Sequence, residues 1–154
     1  MGVYGSLDGA IRKAQITQDD LLREYHYGAN NYKLNRIDGS INGLLSSAPL
    51  AIFTALFRPL AWEIGSPTMV VSAIENTILI LFVLYSLIRI GVLKFFKIVI
   101  NDPFLVYCVF FSLFFAFGVG IAGTNFGALV RYKIPLMPFF FSAVYLIGIK
   151  SRSK

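Results

Sequence analysis

From Thr68 to Ile90 the chain carries no charged side chain except Glu75 near the start and Arg89 at the end. About 20 apolar residues of α-helix cover the hydrocarbon core of a bilayer, and only a helix satisfies every backbone N–H and C=O of such a stretch internally. Residues 68–90 are therefore predicted to cross a membrane. Residues 103–122 form a second such stretch, opened by Asn101-Asp102-Pro103, an N-cap followed by a proline at the first helical position. Residues 134–149 form a third. They are short for a straight span, and Pro135 and Pro138 fall in the first turn, where proline is tolerated. The run LLSSAPLAIFTALF at 44–57 is shorter still, and with Arg58-Pro59 and Trp62 behind it residues 44–63 read as a re-entrant or interfacial helix. The expected fold is an all-α integral membrane protein with about three transmembrane helices plus one re-entrant or interfacial helix.

Composition agrees. Of 154 residues 56% are hydrophobic and 14% charged, well below the roughly 25% charge of a soluble domain. The net charge of +6 would suggest nucleic acid in a soluble protein, but here the bases flank apolar runs, so positive-inside topology accounts for them. Residues 1–43 are polar, with a helical spacing of Ile11, Ala14, Leu21, Leu22 and Tyr25 and a Gly- and Asn-rich loop from Gly28 to Gly43. No apolar core lies near Met1, so no cleavable signal peptide is evident, and no internal repeat is visible.

Charge orients the spans. Arg89, Lys94 and Lys97 lie in the 89–102 connection, and Lys150, Arg152 and Lys154 in the tail. The positive-inside rule places both in the cytoplasm, with the 123–133 loop and residues 1–43 on the other side. A full crossing by 44–57 would move Met1 to the cytoplasm and leave the later spans as they are. An external N-terminal segment with an odd number of spans implies helices upstream of Met1, or a partner that supplies them.

Chemistry-bearing residues are few. His26 has no second ligand at metal spacing, no metal or cofactor is expected, and Cys108 reads as a packing thiol inside a span. Gly118–Gly123, GVGIAG, matches the dinucleotide fingerprint formally but ends a membrane helix; its small residues allow close helix packing or a helix break. RPLAWE at 58–63 reads as a headgroup contact by Arg58 held by Glu63, or as a snorkelling arginine beside a Trp anchor. Glu75-Asn76, inside a span, needs a partner, with Arg58 and Arg131 the candidates, or contacts a substrate. In TNFGALVRYKIP at 124–135, Arg131 and Lys133 sit on the external side, where positive-inside sorting disfavours bases. An arginine fork and a lysine point charge beside a glycine turn suit phosphate or diphosphate recognition, or anchoring to phospholipid headgroups.

LFRPLAWE at 56–63, SAIEN at 72–76 and TNFGALVRYKIPLMPF at 124–139, with ANNYKLNRIDG ahead of them, resemble the C-terminal part of a family of bacterial multi-pass membrane proteins associated with polysaccharide and glycan assembly. The resemblance covers roughly residues 28–149. It implies a polyprenyl-linked glycosyltransferase- or polymerase-like protein of the bacterial inner membrane, with further spans upstream. It makes Arg58, Glu63, Glu75, Asn76, Asn125, Arg131 and Lys133 a polar cluster at the outer boundary. The resulting expectation is a glycan-assembly protein that holds a polyprenyl diphosphate saccharide with Arg58, Arg131, Lys133 and Asn125. Glu63 and Glu75 are the candidate catalytic carboxylates. The rival expectation is a non-catalytic subunit of a larger secretion, motility or transport complex, in which Glu75 and Arg131 pair with each other or with a partner helix. A channel is the third, though no filter-like ring is visible.

Overall fold

The computed structural model describes residues 41–123 and 125–152, together with Gly9, Arg12, Lys13 and Ile16. The expectations for the helix within 7–25, for His26 and for residues 28–40 of the Gly28–Gly43 loop fall outside the described residues, apart from those four positions; Ile41–Gly43, expected as loop, instead form the first turn of a helix. From Ile41 onward the described chain is helical: α1 Ile41–Phe57, a 3-10 turn Ala61–Glu63, α2 Pro67–Ile90, α3 Val92–Ile100, α4 Pro103–Ala122, α5 Phe126–Tyr132, a 3-10 turn Ile134–Leu136 and α6 Met137–Arg152. Three segments are long and apolar enough to cross a membrane, Met69–Ile90, Pro103–Ala122 and Phe126–Arg152, and a shorter apolar helix precedes them.

Each boundary has a local cause. Pro67 and Pro103 open α2 and α4 at positions whose N–H has no intrahelical acceptor. The Asp102 carboxylate accepts hydrogen bonds from the Phe104 N–H at 2.9 Å and the Leu105 N–H at 3.4 Å, which caps α4. Asp102 also pairs with Lys150 near the end of α6, tying the start of one span to the end of another. The Lys150 hydrogen bond, against a smaller opposing effect of burial, holds the Asp102 carboxyl below the usual carboxylate range. Gly91, at φ 81°, breaks α2 from α3 in a backbone conformation that side chains disfavour.

Two elements differ from the sequence-based expectation. The basic 89–102 connection, for which no helix is predicted, contains α3, whose Val99 is buried with Leu105, Cys108, Ala143 and Ile147 while Lys94 and Lys97 stay exposed. Its nine residues, VLKFFKIVI, fold as a helix because one face packs on the end of the bundle. The 123–133 loop is largely helical too: the Asn125 side chain accepts from the Gly127 N–H at 2.7 Å and starts α5, which runs through a 3-10 turn into α6. The third apolar segment therefore reaches from Phe126, not from Ile134, and its length no longer falls short of a span.

With 17 residues, α1 is roughly 25 Å long, less than the ~30 Å hydrocarbon core. Its main packing partner is α4. Ala51 lies against Gly120 near the C-terminal end of α4. Phe57, six residues on, meets Phe140 at 6.2 Å, and the adjacent Phe139 lies 4.6 Å from Phe111, midway along α4. Thus α1 runs antiparallel to α4 and stops about halfway along it. The core around it joins Ala51, Ala55 and Leu56 to Ala116, Val119, Phe126 and Leu129.

Candidate functional site

The end of α1 is where the polar residues gather. After Phe57 the chain turns through Arg58-Pro59 and returns over the 3-10 turn to α2. The Arg58 Nε donates to both Glu63 carboxylate oxygens, at 2.9 and 3.0 Å, and Nη2 donates to Oε1. The other Glu63 oxygen accepts from the Leu60 N–H at 2.9 Å. Burial alone would raise the Glu63 carboxyl, but the Arg58 hydrogen bonds, the Leu60 N–H and the Arg58 charge outweigh it and hold it below its ordinary value. The Arg58 guanidinium also lies 5.2 Å from the centroid of the Phe126 ring, a cation–π contact with the first residue of α5.

One residue on, the Pro59 carbonyl accepts from the Asn76 amide at 3.1 Å, and the Asn76 Oδ1 accepts from the Lys133 ammonium. Asn76 and Lys133 are both buried. Glu63, Arg58, Pro59, Asn76 and Lys133 thus form a continuous polar chain that links the end of α1 to α2 and to the α5–α6 connection. An ion pair and a satisfied amide are what an apolar surrounding demands of such groups. In the same region the Thr54 hydroxyl is buried with no hydrogen-bond partner among the described residues.

The structure brings together Arg58, Glu63, Asn76 and Lys133 and leaves three other candidates outside that chain. Glu75, expected to pair with Arg58 or Arg131, pairs with neither among the described residues: it lies on the exposed face of α2. Arg58 is engaged by Glu63 instead, because the turn after α1 places the two within one short loop. Asn125 is the cap of α5. Arg131 and Lys133 diverge: near-helical backbone places residues two apart on different faces, so Lys133 turns into the bundle and Arg131 faces out.

Arg131 stands instead at the rim of an open apolar groove of about 450 Å³ between α4 and α5, with Phe114, Gly118, Ala122, Tyr132 and Pro135 among its walls. The glycines of GVGIAG have separate roles here. A Cβ on Gly120 would lie 2.1 Å from the Ala51 carbonyl oxygen, so α1 packs directly on the α4 backbone. A Cβ on Gly118 would meet nothing within 4 Å. Among the described residues nothing requires glycine at 118; its missing side chain leaves the groove open. The sequence offered no signal that separates the two, since both lie in one small-residue run.

No protein-family model, curated protein sequence or solved structure matches this chain.

Proposed function

We propose that the chain is a membrane-embedded module of bacterial glycan assembly that binds a polyprenyl diphosphate saccharide in the groove beneath Arg131. The observation that carries this reading is one arginine, Arg131, among the residues lining an open and largely apolar groove between α4 and α5. An isoprenoid chain needs an apolar trough open to the bilayer, and a diphosphate needs a fork of N–H donors at its end. Lys133, buried against Asn76, and Arg58, engaged by Glu63, support the site from behind in this reading; Asn125 fixes the start of the helix that carries Arg131. Glu63, paired and held below its ordinary value, is poorly suited to general-base work, so Glu75 is the better candidate for proton transfer at a sugar hydroxyl.

The orientation proposed is a bacterial inner membrane with the C-terminus in the cytoplasm. Arg89 ends α2, Lys94 and Lys97 lie on α3, and Lys150 and Arg152 end α6, so five bases lie at helix ends away from Arg131. The Lys94 ammonium donates to the Ser151 carbonyl at 3.3 Å, which places α3 against the last turn of α6. A basic end of this kind faces the cytoplasm by the positive-inside rule, which puts the Arg131 groove on the outer side.

The test is native mass spectrometry of the full chain extracted from a glycan-producing bacterial membrane in mild detergent. Wild type is expected to carry a polyprenyl diphosphate adduct. Arg131→Ala should lose most of it, and Gly118→Leu, which fills the groove, should lose all of it. An adduct that survives both substitutions sinks the reading.

One observation favours a second reading, a non-catalytic subunit of a larger membrane complex. Glu75 lies on the exposed face of a span with no hydrogen-bond or ion-pair partner among the described residues. An ionisable group in that position is costly unless a neighbouring helix or water meets it.

A further inference from the structure

The basic end of the bundle holds a second groove. It runs between α2 and α6, with Phe82 and Tyr85 on one wall, Tyr145 and Gly148 on the other, and Arg89 and Arg152 at its end. It encloses about 180 Å³. No acid lines it. Arg89 is held in place: its Nη1 donates to the Tyr85 hydroxyl at 3.0 Å, and its guanidinium lies 5.8 Å from the centroid of that ring. A guanidinium presents its donors in a planar fork, so one bonded through a single nitrogen keeps others for a ligand.

Gly148 marks the open side. A Cβ there would meet nothing within 4 Å. Glycine inside a helix is less stable than alanine, so a glycine that relieves no clash needs another reason. Tyr85 and Tyr145 flank it, 57% and 61% exposed, and leave an aromatic-walled trough on the outer surface of two spans. Charge complementarity points the same way. Among the described residues the acid nearest this end in the chain is Asp102, and it is engaged by Lys150.

We infer that this groove holds an anionic glycerophospholipid of the surrounding membrane, with its phosphodiester between Arg89 and Arg152 and one acyl chain laid along Gly148 between the two tyrosines. Two guanidiniums, at the ends of α2 and α6, beside a largely apolar trough on the surface of two spans match a headgroup and its tail together. A soluble phosphate would use the arginines and leave the trough empty. The site shares no lining residue with the Arg131 groove and does not depend on it.

The test uses the full chain in phosphatidylcholine nanodiscs doped with phosphatidylglycerol, followed by native mass spectrometry of lipids that stay bound after release into detergent. Wild type is expected to retain phosphatidylglycerol over phosphatidylcholine. Arg89→Gln with Arg152→Gln should reduce that preference by roughly 30-fold, the loss of two bases near the headgroups. Gly148→Leu should retain neither lipid, and Arg131→Ala should retain phosphatidylglycerol as wild type does. Where Gly148→Leu does not fold, the double arginine variant decides alone. Equal retention of the two lipids by wild type, or an unchanged preference in the double variant, overturns the inference. So does displacement of the bound lipid by soluble glycerophosphoglycerol, which would assign the arginines to a free phosphodiester. A lipid-free dimer would assign the groove to a second copy of the chain.

Discussion

Lys133 is 2% exposed, and its ammonium meets the Asn76 amide inside the bundle. A buried charge with one neutral hydrogen-bond acceptor stays where it is only while that acceptor is present. The same amide donates to the Pro59 carbonyl at 3.1 Å, so Asn76 satisfies groups on two other segments at once. Asn76→Leu should therefore destabilise the protein by about 2–3 kcal/mol, the usual cost of stranding a charged group's hydrogen bond. Lys133→Met removes the charge together with its need for a partner and should cost less. Unfolding of both variants in mixed detergent micelles checks the order; a larger loss for Lys133→Met would mean that the ammonium itself, and not its satisfaction, holds the bundle. Arg58 and Glu63 obey the same logic at the next turn of chain, where the loop supplies both halves of the ion pair and Phe126 of α5 adds a cation–π contact to the guanidinium.

At the scale of elements, α1 is held by backbone proximity more than by large side chains. Its buried face is Ala51, Thr54, Ala55 and Leu56, and opposite it α4 presents Ala116, Val119 and Gly120. Small residues on both sides let dispersion act between backbones, the packing that apolar helices use where no hydrophobic driving force separates them from lipid. Gly120→Ala places a methyl group on the Ala51 carbonyl and should cost about 1–3 kcal/mol, the range for overpacking a close contact. Gly118→Ala, two residues away, meets open space and should be neutral or stabilising by up to about 1 kcal/mol through helix propensity. Thermal unfolding followed by thiol labelling of buried Cys108 separates the two; equal losses would show that the glycines serve the flexibility of α4 and not the seating of α1.

At the scale of the whole molecule, three spans and one shorter helix leave long apolar faces uncovered among the described residues, with Ile78, Leu81 and Tyr85 exposed along α2. Lipid can cover them, but Glu75 lies on that helix as well. If the chain is a subunit, Glu75→Leu should abolish its co-purification with partner membrane proteins while leaving its own fold stable, and intact complexes from that variant would exclude the subunit reading. The spans at 68–90 and 103–122 were legible in the sequence almost to the residue, because α2 covers Pro67–Ile90 and α4 covers Pro103–Ala122. The Asp102-Pro103 start was legible for the same reason: a cap acts on N–H groups two or three residues away. The short helices α3 and α5 were not, since nine and seven residues do not hold a helix by their own propensity and need a packed face. The divergence of Arg131 from Lys133 followed from that missed helix: in a loop two bases can converge on one phosphate, and on a helical turn they part. The sequence by itself determined that the chain is helical and membrane-embedded, because a backbone without water must bond to itself, a demand local enough to read along the chain. Only the tertiary structure decided which charges meet and which glycine leaves a groove, because those depend on which side chains from distant segments arrive at the same depth.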